Sequence, residues 1–223
     1  MSAVNLVTNL VTELELQGSK RGADRAVLLA HGAGADMHAA TLTTFADALV
    51  DAGVPVMRFN FPYRTAGRRA PDRPAVLAAA TREAAAELAR RTKLPPARLV
   101  LGGRSMGGRY TSLAVGDADD PLAALGLLLL GYPLHPAGKP EKLRVDHFPR
   151  ITVPVLFVSG TRDSLAEATA LREHAQAIPG RVSFHWIETA DHGFKPLKSS
   201  GTTTTEALET AAVAAVSWVR ALI

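Results

Sequence analysis

The chain has no cysteine among its 223 residues. This excludes disulfides, thiolate metal sites and a cysteine nucleophile, and it shows no need for an oxidising compartment. Aromatic residues are also scarce, at 5%. None interleave with basic residues as a stacking surface for nucleic acid requires. The formal charge of +4 comes from scattered arginines, with one local cluster, "YRTAGRRAPDR" at 63–73, that reads as a solvated basic loop. Long apolar runs are missing as well. The strongest, "LAALGLLLLGYPL" at 122–134, is too short to span a bilayer. The opening "MSAVNLVTNLVTELELQ" lacks a basic n-region, a continuous apolar h-region and a small-residue cleavage site. The expectation is a soluble cytoplasmic protein with neither nucleic acid nor membrane as a partner.

What remains is an ordinary globular composition, 47% hydrophobic and 21% charged. Short β-like runs alternate with Ala-rich helical stretches throughout. "TELELQ" (12–17) alternates like a half-exposed edge strand, and "AVLLA" (26–30) is continuous enough for a buried parallel strand. Further strands are expected at 55–61, 98–103, 125–133, 154–160 and 181–188. Helices are expected over 37–52, 74–92, from about Ser105, over 165–178 and over 204–222. In the last helix Val213, Val216, Val219 and Ile223 recur at spacings of three and four. This rhythm predicts one α/β domain over residues 1–223, with a mainly parallel sheet and helices on both faces. In such sheets ligands sit beyond the carboxyl ends of the strands. The polar loops of interest all follow strands.

One of these loops is "LGGRSMGG". Gly103-Arg104-Ser105-Met106-Gly107 fits G-x-S-x-G between a strand and a helix, the context that motif needs. The glycines relieve crowding at a sharp turn that holds the Ser105 hydroxyl out at a helix N-terminus, where developing negative charge is favoured. The plainer reading is that they only allow close strand–helix packing. Nucleotide readings fit less well, because "GGRSMGGR" lacks G-K-[ST] and "GAGAD" does not complete G-x-G-x-x-G.

A serine nucleophile needs a base, and the base needs an orienting carboxylate. Of the seven histidines, His174 and His185 fall inside regular elements and His38 begins a helix. His135 and His147 lie in the segment after the "LLLL" strand with no neighbours to fix them. His192, in the loop "ETADHGF" between the last strand and the last helix, is the candidate base. Asp163, just past a buried strand in "VSGTRDS", is the candidate carboxylate. Asp117, Asp119 and Asp120 read as an exposed turn, and Asp191 adjoins His192 and so points elsewhere.

The order Ser105, Asp163, His192 is that of the α/β-hydrolases. The chain resembles that superfamily along nearly its full length. The phrases "HGAGADMH", "RFNFPY" and "GGRSMGGR" are most similar to small lid-less hydrolases of the dienelactone-hydrolase-like and testis-expressed-protein-like types. The resemblance implies an oxyanion hole from the backbone N–H groups of Met106 and of Ala33, with Gly34 second, and a loop-shaping role for His31. The connection at 131–152 is short and Pro-rich, so no sizeable cap domain is expected. Arg64, Arg68, Arg69 and Lys139 fall on the same sheet edge as Ser105, as substrate contacts for a carboxylate or as plain solvated surface. The expected function is a serine carboxylesterase for small soluble acyl esters, without metal or cofactor. A non-catalytic scaffold of the same fold, or an acyltransferase or peptidase using the same triad, are the alternatives.

Overall fold

The computed structural model describes residues 10–223. The part of the leader and domain expectations that falls on residues 1–9 lies outside the described residues. Within them, seven strands form one sheet in the order β1-β3-β2-β4-β5-β6-β7. These are β1 (Leu14–Gln17), β2 (Ala26–Ala30), β3 (Val56–Phe59), β4 (Leu99–Arg104), β5 (Gly126–Leu130), β6 (Val155–Gly160) and β7 (Val182–Ile187). Only β1 runs antiparallel, pairing with β3 at the edge; the remaining pairs are parallel.

In the middle of the sheet β2 and β5 are apolar at every position, and β4 as far as Gly103, because both faces are covered. Alternate side chains divide between two cores, as the two-residue repeat of a strand demands. Leu28, Leu101, Leu129 and Phe157 face one way, toward α3 (Pro74–Thr92), α4 (Met106–Val115) and α5 (Ala168–Ala175). Leu29, Val100, Leu128 and Val158 face the other way, toward α1 (Ala40–Asp51) and α6 (Thr204–Ala221). No helix among the described residues is long and apolar enough to cross a membrane.

Several expected boundaries shift. The helix expected from Met37 begins at Ala40, because residues after β2 first turn, with Ala39 accepting from Leu42 N–H. The basic loop contains a short helix, α2 (Pro62–Thr65), opened by a proline that needs no N–H partner there. In α6 the valine stripe is buried only in part. Val219 lies in the core and Val216 packs against it, whereas Val213 and, beyond the helix, Ile223 are exposed, and Ala207, Leu208, Ala211, Ala212, Ala215 and Trp218 complete the buried face. Alanine lets this helix lie close to α1, and the helix start is fixed by the Thr203–Glu206 capping box. The link from β5 to β6 holds one helical turn, Phe148–Arg150, and no cap domain.

His147, in that link, is fixed after all. It is buried, with Nε2 2.8 Å from Ser112 Oγ, and the hydroxyl in turn donates to the Arg109 carbonyl at 2.9 Å. Burial, with the Arg109 and Arg150 charges, pushes the imidazole pKa down to about 4. An unfolded chain titrates histidine near 6.5, so it binds the proton first as pH falls. The contribution of His147 to stability is complete above that value and is lost as pH drops toward the folded pKa, amounting to at most about 3 kcal/mol. In His147→Gln, we expect the drop in unfolding free energy between about pH 7 and about pH 4.5 to be smaller than in the parent, by denaturant titration at both pH values.

Candidate active site

Chain order crosses over at the sheet centre: β2 lies between β3 and β4, so the loops after β2 and β4 diverge there and leave a crevice. Ser105 stands in it. Its backbone has φ 49° and ψ −110°, in the left-handed half of dihedral space that residues other than glycine avoid. The turn is forced by the packing on either side. A Cβ at Gly103 or at Gly107 would fall on the Ala30 carbonyl oxygen of β2. The helix therefore starts at Met106, with Ser105 at its N-cap, and the Ser105 side chain makes no capping hydrogen bond. The hydroxyl is left for another partner.

That partner is His192. Ser105 Oγ lies 3.0 Å from His192 Nε2, and His192 Nδ1 lies 2.9 and 2.8 Å from the two oxygens of Asp163. The arrangement assigns the proton to Nδ1, donated to the carboxylate, with Nε2 free to accept from the serine. The Asp163 side chain is fully buried and also accepts the Leu165 N–H at 2.8 Å. Backbone bonds join the acid and histidine loops: Arg162 N–H donates to Ala190 O at 2.9 Å, and Thr189 N–H donates to Thr161 Oγ at 2.8 Å. Asp191 shapes the histidine loop, accepting from the Gly193 and Lys195 N–H groups at 2.8 and 3.0 Å. As expected from its position beside His192, it does not orient the ring.

The loop after β2 meets the same point. Gly32 lies against Ser105, a Cβ there falling 3.7 Å from the serine Cβ. His31 holds this loop: its Nδ1 is 2.8 Å from Gly32 O, and its Nε2 accepts the Phe61 N–H at 3.1 Å. Nδ1–H donates to Gly32 O in either protonation state, but accepting at Nε2 needs the neutral ring, which burial favours by pushing the pKa down. Tyr63 adds a third tie, its hydroxyl donating to Ala33 O at 2.8 Å. Burial pushes that phenol up to about 12, so it stays a donor. Ala33, Ser105 and Met106 line one cleft of about 380 Å³, together with Tyr110, Pro133 and Leu165.

Arg64, Arg68, Arg69 and Lys139 are not among the residues that line this cleft. Arg64 stays on α2, and after it the chain turns through Gly67, at φ 69°, into the exposed stretch that holds Arg68 and Arg69. Arg64 pairs with Asp36 at 3.6 Å and Arg68 with Asp72 at 2.6 Å, while Arg69 and Lys139 are exposed. The arginines that do line the cleft are Arg109 and Arg144. Arg109 was legible in principle, since it stands four residues after Ser105 on the same helix face. Arg144 was not, because only the folded link brings it back.

Arg104 and Tyr63 were also missed. Arg104 has Nη1 3.3 Å from His192 Nε2, donates to the His192 carbonyl through Nη2, and lies over the Phe194 ring with its guanidinium carbon 4.7 Å from the centroid. Burial pushes its pKa down to about 10, against the opposing pull of the Asp163 and Asp191 charges. Its signal was the residue preceding the serine, but a side chain buried between two loops has no periodicity to betray it.

Residues 23–220 match the family model of the alpha/beta hydrolase domain. The chain belongs to that family. Solved structures with the same fold include a dienelactone hydrolase from Anabaena variabilis, with a TM-score of 0.70 at 19% identity, covering 94% of this chain and 91% of that one. An alpha-beta serine hydrolase homologue from Coxiella burnetii gives 0.69 at 17% identity, covering 91% and 89%. The esterase domain of a Rhodothermus marinus protein gives 0.65 at 19% identity, covering 93% and 90%.

Two substitutions test how the site is held. Arg104→Met removes the tie between β4 and the His192 carbonyl together with the guanidinium beside Nε2, and we expect kcat on a short-chain ester to fall at least about tenfold with KM changed far less, because the placement and the electrostatics of the His192 ring are disturbed. Tyr63→Phe removes the tie to the Ala33 carbonyl in the loop after β2 that meets Ser105; a fall in kcat of roughly three- to tenfold is expected, smaller than for losing a donor to a developing oxyanion outright. Steady-state kinetics reads both, beside thermal melts that confirm folding.

Proposed function

We propose that this chain is a serine carboxylesterase of the cytoplasm that hydrolyses small soluble acyl esters through an acyl-enzyme. The observation that carries the reading is the unbroken line of contacts from Ser105 Oγ to His192 Nε2, at 3.0 Å, and from His192 Nδ1 to buried Asp163, at 2.8 Å.

In this reading Ser105 Oγ attacks the ester carbonyl while His192 Nε2 takes its proton, and the Asp163 charge stabilises the imidazolium that forms. The carbonyl oxygen gains its charge in front of the Met106 and Ala33 N–H groups. Met106 is the first residue of α4, so its N–H has no partner within the helix and points where the helix dipole favours an anion. Each such donor is worth about 3 kcal/mol in the transition state. His192 then returns the proton to the leaving alcohol, and a water activated by the same nitrogen releases the acyl group. The strain stored at Ser105, of order 1–3 kcal/mol, keeps the hydroxyl out of the helix cap and toward the base. The absence of a cap over the β5–β6 link leaves an open cleft, which suits small soluble acyl groups.

Intact mass after treatment with a fluorophosphonate tests the reading. We expect one adduct per chain, abolished in Ser105→Ala and in His192→Ala, with hydrolysis of short p-nitrophenyl esters down by roughly 10³-fold or more in both and by a comparable factor in Asp163→Asn. A folded parent protein that takes no label, or labelling that survives Ser105→Ala, overturns it. Amide hydrolysis faster than ester hydrolysis on matched acyl groups replaces the esterase with a peptidase.

A further inference from the structure

Arg109 and Arg144 are two positive charges facing one cleft. Arg109 lies on α4, four residues beyond Ser105 and therefore about 6 Å along the helix axis at 1.5 Å per residue. Its Nε is buried and has no hydrogen-bond partner among the described residues. Arg144 rises from a fixed stretch of backbone, with its N–H donating to Leu134 O at 2.8 Å and its carbonyl accepting the Tyr132 hydroxyl at 2.5 Å. Among the described residues neither guanidinium has a carboxylate within ion-pair distance. The pair is uncomfortable: burial, and then the Arg109 charge, lower the proton affinity of Arg144.

Other charges do not relieve this. Asp72 shares the cleft and is bonded through Oδ1 to Arg68 at 2.6 Å; its Oδ2 is buried without a hydrogen-bond partner among the described residues, and the carboxylate stays beyond ion-pair distance of both Arg109 and Arg144. On its far side Arg109 borders a groove that contains Asp117 and Asp119, where Asp117 is engaged by Arg82 at 3.3 Å. Two half-buried like charges without a counter-ion destabilise the empty cleft, and an anion shared between two guanidiniums removes that cost. The same cleft is also lined by Leu77, Met106, Tyr110, Pro133 and Leu165, apolar surface that suits hydrocarbon.

We infer that this cleft binds the carboxylate end of a short acyl chain, held by Arg109 and Arg144 while the ester at the other end meets Ser105, so that the substrate is a half-ester of a small dicarboxylic acid. The inference rests on the serine-hydrolase reading for the fate of the ester, but the anion site can be tested without catalysis. The chain length follows from the helix rise: a spacer of a few carbons links the two ends.

The kinetic test compares the mono-p-nitrophenyl ester of glutaric acid with the same ester of its neutral monoamide, after subtracting uncatalysed hydrolysis. In the parent protein kcat/KM should favour the acid at least about tenfold, a preference that collapses toward unity in Arg109→Gln and in Arg144→Gln and weakens with added salt. The binding test uses Ser105→Ala protein and calorimetry: glutarate should bind and glutaramide should not, with binding lost when either arginine is replaced. Hydrolysis of both esters without preference, and no glutarate binding, overturns the anion site while leaving the serine hydrolase standing. Glutarate binding with no hydrolysis and no fluorophosphonate label upholds the anion site and overturns the esterase. The comparisons on parent and Ser105→Ala protein need no arginine variant, so a variant that fails to fold leaves the inference decidable.

Discussion

The contact between the backbone of β2 and the start of α4 sets the terms for the rest of the molecule. At Gly103 and Gly107 the two run so close that a single added carbon would strike the Ala30 carbonyl. A strand cannot pass into a helix at that separation through ordinary dihedral angles, and Ser105 takes the strain. The same closeness brings the loop after β2 to the serine and leaves the first N–H of α4 pointing into the crevice. The position of the Ser105 hydroxyl and that of the first α4 N–H are thus consequences of one steric fact. His31 and Tyr63, both buried, then lock the β2 loop in register from the side of α2.

Around that centre the arginines divide by environment. Arg104 is partly buried and lies on an aromatic ring, with its donors spent on the Gly131 and His192 carbonyls and on His192 Nε2. Arg109 and Arg144 are partly solvated and, among the described residues, without an ion-pair partner, so their charge is available to something that enters the cleft. Arg64 and Arg68 are paired at the rim and are unavailable. A residue type that composition treats as one population therefore does three different things. The guanidinium is suited to this because it stays charged under burial and offers a planar fork of donors.

The histidines show the same division. Neutral His31 braces a loop, buried His147 bonds to Ser112 and pins the β5–β6 link, and half-exposed His192 faces the serine. His147 and Ser112 are a second serine–histidine contact at 2.8 Å, but both are buried and Ser112 sits in regular helix without strain. What distinguishes the Ser105 pair is access and geometry, and residue type does not reveal either.

Local chemistry in the sequence determined a good deal by itself. Unbroken apolar runs marked strands that must be covered on both faces, since nothing else keeps five consecutive hydrophobic residues out of water. Glycines on either side of Ser105 marked a crowded turn, and Asp163 and His192 were legible because each follows a strand whose end must open on the ligand side of the sheet. Tertiary structure alone decided which arginines face the cleft, because Arg144 reaches it only after the β5–β6 link folds back and Arg64 and Arg68 leave it only once Asp36 and Asp72 are in place. It also decided that α6 packs through alanines and leaves Val213 outside, since the separation of α6 from α1 is a property of the two helices together. A strand or a turn is fixed by neighbours in sequence, whereas a charge is paired or free according to groups that only folding brings near.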